Sequence, residues 1–173
     1  KYGFYIFENV LSNEELNDIQ LDLDALKTTY PKDSKSSVTN EGTPALGSSC
    51  KAPNLIWAKP LGDPLGGTAI ANGRHQVKLF EPTAADDAPE ESPFVLLGSL
   101  QFSEACLRTY AHPELLKVAE AINGNDFAPF HECLFIKEPG LGAAVSWHQD
   151  GDTHWDNPEC DEGIHGFNFM AQV

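Results

Sequence analysis

The spacing of the apolar residues changes near Gly124, and that change limits the folds open to this chain. Before it, helical spacing dominates. Leu16, Ile19, Leu23 and Leu26 recur on one helical face, with Glu14, Asp18 and Asp22 mostly outward. Ser12 and Glu15 form a capping-box pair ahead of that stripe, and Leu11 is placed to staple onto Leu16. Residues 103–110 also read as a helix. Pro113 suits the first position of the next one, Leu115, Val118, Ala119 and Ile122 make its stripe, and Gly124 stops it. Beyond Gly124 the pattern is that of strands. Residues 127–137 form one, ended by the turn Glu138-Pro139-Gly140; residues 144–149 form a short one and residues 165–173 another. Helices first and β-rich sequence afterwards favour an α+β fold with a β sandwich or barrel.

Other stretches carry less. Residues 2–10 are aromatic and β-branched, which suits a strand, and residues 74–80 suit another. Residues 28–72 are rich in Ser, Thr, Pro and Gly. A wholly structureless stretch of that length is unusual in one domain, so short elements are expected there, residues 55–58 among them. Residues 81–93 are acidic and Pro-rich and read as a solvated loop.

The bulk properties exclude several classes. At 173 residues the chain is long enough for one domain with a real core. A net charge of -15 disfavours nucleic acid and anionic membranes, since phosphate binding needs clustered Lys and Arg. Cys50, Cys106, Cys133 and Cys160 include no CxxC pair, which argues against a zinc ribbon and a dense disulfide framework. They read as reduced thiols of a cytoplasmic protein. No run reaches the roughly 18 apolar residues of a membrane span. Gly66-Gly67 lacks the Lys-Ser or Lys-Thr of a phosphate loop, and no GxSxG elbow is present. The chain starts at Lys1 and ends at Val173 within an apolar run, so a piece of a longer protein is expected.

The triplet His148-Gln149-Asp150 carries the most chemistry. Strand residues i and i+2 project from one face, so His148 and Asp150 can offer a neutral nitrogen and an anionic oxygen to one metal ion. With one more histidine they would make a two-histidine, one-carboxylate set, which leaves positions open for a chelating co-substrate and dioxygen on Fe(II). The triplet alone equally describes a polar pair at a strand end.

Its surroundings add to it. Val145-Ser146-Trp147-His148-Gln149-Asp150-Gly151 resembles the iron-binding strand of the phytanoyl-CoA dioxygenase-like family. Upstream, His112-Pro113-Glu114-Leu115-Leu116-Lys117 resembles the helix start that precedes that strand. Gly124 near a helix end and the close in Ile136-Lys137-Glu138-Pro139-Gly140 follow in the family's order. Tyr2-Gly3-Phe4 through Leu16 resembles the family's opening strand and capped helix. The middle loops are unmatched.

The resemblance implies a double-stranded β-helix, a jelly-roll or cupin-like fold with N-terminal helices packed on one sheet, incomplete within residues 1–173. It implies His148 and Asp150 as iron ligands. It places a 2-oxoglutarate contact by position on Cys133, whose type fits core packing at least as well. His131 stands two residues earlier, placed to bond co-substrate or substrate, or else an ordinary core histidine. Gln172 stands where relatives hold a residue near 2-oxoglutarate. The family's second iron-binding histidine and the Arg that pairs with the far carboxylate of 2-oxoglutarate come later than Val173; His154 and His165 come too soon. The longer protein is therefore expected to be the enzyme, and this stretch alone to be inactive. The implied reaction consumes 2-oxoglutarate and O2, releases succinate and CO2, and hydroxylates an aliphatic carbon of a small molecule. Asp150 favours hydroxylation, because halogenating relatives replace that carboxylate with a small residue. Two other readings compete: a non-catalytic jelly-roll binding domain, and a zinc hydrolase using His148, Asp150 and His154. The substrate and the oligomeric state are not legible.

Overall fold

A computed structural model of the chain describes residues 5–50, 54–61, 84–128 and 132–142, with backbone alone at 69–70 and 73–74. Helix α1 spans Asn13–Lys27. Strands β1 (Leu55–Ala58), β2 (Ala69–Ile70), β3 (Gly73–Arg74) and β4 (Ser92–Leu97) follow. After a 3-10 turn at Ser99–Gln101 come α2 (Glu104–Tyr110), α3 (Pro113–Asn123) and β5 (Cys133–Phe135). The described residues thus combine helices with small antiparallel sheets.

Helix α1 starts where the capping box places it. The Ser12 Oγ accepts from the Glu15 N–H at 3.2 Å, and the Glu15 carboxylate accepts from the Ser12 N–H at 2.7 Å. Two of the four amide donors that a helix N-terminus leaves open are thereby satisfied. Ile19 and Leu26 are buried, as the stripe requires. Asp22 departs from the outward reading. Its carboxylate accepts from the Ser103 Oγ–H at 2.8 Å and the Ala105 N–H at 3.1 Å, so α1 supplies an anion to the N-terminus of α2. Beside it, Arg108 of α2 pairs with Asp18 at 2.9 Å.

Strand β4 is the centre of the main sheet, in the order β1-β4-β5, antiparallel throughout. It was not among the strands read from the sequence, and its first two residues fell in the expected solvated loop. Leu55, Leu96 and Leu134 lie side by side on one face, and Ile56, Val95 and Phe135 on the other. Between the β1–β4 pairs Ile56↔Val95 and Trp57↔Pro93 the register shifts, leaving Phe94 as the extra residue of a bulge. The shift lets Phe94 and Val95 share one cluster with Ala58. Leu26 of α1 packs with Leu55 and Leu96 on the first face, joined by Leu23, Tyr30, Leu134 and Ile136. Leu96 is fully enclosed, and burying a side chain of that size contributes about 1.5–3 kcal/mol.

Three expectations change on folding, and one falls largely outside the described residues. Residues 5–10 of the expected first strand are not strand, and Tyr5 is 77% exposed. Asn9 at φ 57° turns the chain there, and none of the described strands pairs with the segment. Within the expected strand at 127–137, the described strand is β5 at Cys133–Phe135; residues 127–128 and 136–137 are not strand, and residues 129–131 lie outside the described residues. Of the expected strand at 74–80 only Arg74 is described, and it pairs with Ala69. Ile122 of the α3 stripe is 58% exposed, whereas Ala119 is buried. The boundaries of α3 stand: Pro113 is at its start and Gly124 caps it at φ 80°. The part of the long polar stretch at residues 28–50 is held by short-range bonds, such as the Thr39 N–H to the Thr43 carbonyl at 2.9 Å, with Thr39 buried.

Candidate functional site

Of the residues assigned to the site from sequence, Cys133 is within the described structure. His131, His148, Asp150 and Gln172, and with them His154, lie outside the described residues. So do the strands expected at 144–149 and 165–173. Cys133 opens β5 and pairs with Leu97, the last residue of β4. It is half-buried and packs with Leu97 against Ala58, Phe94 and Val95. That is the sheet face turned away from α1. Ile56 is 40% exposed on it and Phe135 50%, and the Phe135 ring stands edge-on to Phe94 at 5.8 Å between centroids. The Lys137 ammonium lies 5.1 Å from the centroid of the Phe94 ring, within cation–π range. The turn Glu138-Pro139-Gly140 follows, with Gly140 at φ 76°, and the chain then runs on in sequence toward His148. Pro139, Gly140 and Leu141 form one wall of an open cleft of about 590 Å³, lined otherwise by Leu61, Ala85, Asp87, Ala88 and Pro89.

Behind β5 a polar joint connects sheet and helices. The Glu132 carboxylate accepts from the Ser99 Oγ–H, and Ser99 is 2% exposed. Ser103 caps α2 by accepting from the Cys106 N–H at 3.0 Å while donating to Asp22. Burial pushes the Cys106 thiol up, Ser103 partly opposes this, and the carboxylates of Asp22 and Glu132 add to it. Cys106 is therefore held as the neutral thiol, unsuited to nucleophilic or metal-binding work. Burial also raises the Tyr110 phenol, with Glu132 contributing. The Ala105 N–H, then Ser103, hold Asp22 below the usual carboxylate range. Sequence reasoning did not find this joint. The bonds that Glu132 and Asp22 make in it span 33 to 83 residues of the chain, and no local pattern links such partners.

A model of the family described as phytanoyl-CoA dioxygenase (PhyH) matches residues 1–170. The chain belongs to the phytanoyl-CoA dioxygenase family. Neither the curated proteins nor the solved structures compared with the chain gave a match. Phytanoyl-CoA dioxygenase family membership places the chain among Fe(II)- and 2-oxoglutarate-dependent oxygenases at the family level, and it implies a cupin-like fold. Helices beside an antiparallel sheet are compatible with that fold.

Among the described residues, no three His, Cys, Asp or Glu side chains are grouped to hold a metal ion. The fit to iron therefore rests on donor chemistry. An imidazole nitrogen and a carboxylate at His148 and Asp150 are the donor types such iron sites use. None of the described helices is long and apolar enough to cross a membrane.

Proposed function

We propose that this phytanoyl-CoA dioxygenase family chain is part of an Fe(II)- and 2-oxoglutarate-dependent dioxygenase that hydroxylates an aliphatic carbon of a small molecule. The observation that carries this reading is a family match over residues 1–170 that contains His148-x-Asp150. His148 and Asp150 hold the iron; a second histidine and an Arg that pairs with the far carboxylate of 2-oxoglutarate complete such a site. When bound, the metal and 2-oxoglutarate supply the oxidising power, with succinate and CO2 released. The chain's own residues bind, orient and exclude water. Ile56, Val95, Leu97 and Phe135 offer an apolar wall on the sheet face opposite α1, and a dry wall protects reactive oxygen chemistry from side reactions. In this reading the three-stranded sheet is one wall of a jelly roll and that face looks inward, toward the pocket. Cys133 sits on it, beside the co-substrate, with His131 and Gln172 as further contacts.

Anaerobic titration of the full-length protein with Fe(II) and 2-oxoglutarate tests the proposal. The expected result is a weak visible charge-transfer band at one iron per chain. No band, together with tight stoichiometric zinc binding, would sink it in favour of a zinc site. His148→Ala is expected to abolish 2-oxoglutarate-dependent succinate formation; retained turnover would remove His148 from the ligand set.

A further inference from the structure

The backbone ladder between β4 and β5 ends at the pair Leu97↔Cys133. Gly98, at φ 72°, then turns β4 out of the sheet into the 3-10 turn that begins at Ser99. Strand ends are where local opening begins. A side-chain bond takes over there: the Glu132 carboxylate accepts from the buried Ser99 hydroxyl. Side-chain direction along β5 gives this bond its meaning. Leu134 and Ile136 pack with Leu26, Leu55 and Leu96 on the α1 side, whereas Cys133 packs with Ala58, Phe94 and Val95 on the opposite side. Glu132 has the parity of Leu134, so its carboxylate is on the α1 side, where it reaches Ser99. A slip of one residue would reverse every side chain of β5 between the two faces.

We propose that Glu132 is a positioning residue for the co-substrate strand: its bond to Ser99 latches the entry of β5 and holds Cys133 on the face away from α1. The inference rests on the dioxygenase reading given above, with 2-oxoglutarate bound on that face. Glu132 touches neither iron nor substrate; it acts through the strand.

The test uses the full-length protein, with succinate formation followed as 2-oxoglutarate is varied. Glu132→Ala and Ser99→Ala are each expected to raise the KM for 2-oxoglutarate about tenfold, with kcat changed less than about twofold, since a loosened strand weakens co-substrate binding first. The double variant is expected to be no worse than either single one, because both remove the same bond. Glu132→Gln, whose amide oxygen still accepts from Ser99, is expected to restore most of the affinity. Amide exchange at Leu134 and Phe135 should accelerate in both alanine variants and not in Glu132→Gln, with α3 unchanged as a check on folding. Unchanged KM in the two alanine variants overturns the latch while the dioxygenase reading stands. Additive losses in the double variant, or a Gln variant as poor as the Ala one, also overturn it. A wild-type protein that forms no succinate from 2-oxoglutarate overturns the dioxygenase reading, and this proposal falls with it.

Discussion

On one face of the three-stranded sheet, Leu55, Leu96 and Leu134 lie side by side beneath Leu26 of α1. On the other, Ile56, Val95 and Phe135 lie side by side, and the outer two keep 40% and 50% of their surface open. The side chains are of the same apolar kind, so residue type does not explain the difference. A helix explains it. Helix α1 carries its own start signal and its own apolar stripe, and the described structure lays that stripe on one face only. The first face is finished by residues near it in the fold. The second is the one on which the proposed pocket lies.

Predictions follow from that contrast. Leu96→Ala is expected to have the largest effect, a loss of about 2–5 kcal/mol of unfolding free energy in a denaturant titration, because it empties a fully enclosed site beneath α1. A loss below about 1 kcal/mol would mean that the closed face is not closed.

Asp22→Ala comes next. It removes the acceptor of two hydrogen bonds that tie α1 to the start of α2, and about 1–2 kcal/mol should be lost. The same group makes stability depend on pH. The Ala105 N–H and Ser103 hold the folded carboxylate below its ordinary value. Its contribution is therefore complete above the unfolded pKa of about 3.9 and disappears as pH falls through the lower folded value. Asp22→Asn should flatten that acid limb in thermal melts recorded from neutral pH downward. A limb of unchanged steepness would assign the acid sensitivity to other carboxylates.

Phe135→Ser should cost least, about 1 kcal/mol or less, mostly through its edge-on contact with Phe94. The same change should weaken 2-oxoglutarate-dependent turnover if the face lines the pocket. A stability loss equal to that of Leu96→Ala, with turnover intact, would break the comparison: the second face would then be ordinary core.

Legibility in the sequence followed the range of the interactions. The cap at Ser12, Pro113 at the head of α3 and the Gly124 stop depend on residues within a few positions of one another, and they stand as read. The short element expected at residues 55–58 also stands within its polar stretch, as strand β1. Strand β4 escaped notice because a strand buried on both faces shows no alternation, and Pro93 argues locally against a central strand. The bulge accommodates that proline. Residues 5–10 have strand composition without a described partner strand, and composition cannot supply hydrogen bonds. At the site, the proposal of His148 and Asp150 comes from the spacing of two and the family pattern around them, and both lie outside the described residues. The Ser99–Glu132 bond was not legible, because its partners meet only after β4 and β5 have paired.

The sequence by itself determined the start of α1, the bounds of α3 and membership of the phytanoyl-CoA dioxygenase family, since caps and family motifs are written in short stretches of residues. Tertiary structure alone decided which sheet face α1 covers, that Asp22 turns in toward α2, and that Cys133 lies away from α1 while Glu132 faces Ser99. Alternation along a strand divides its side chains into two sets; only packing against another element says which set is inside.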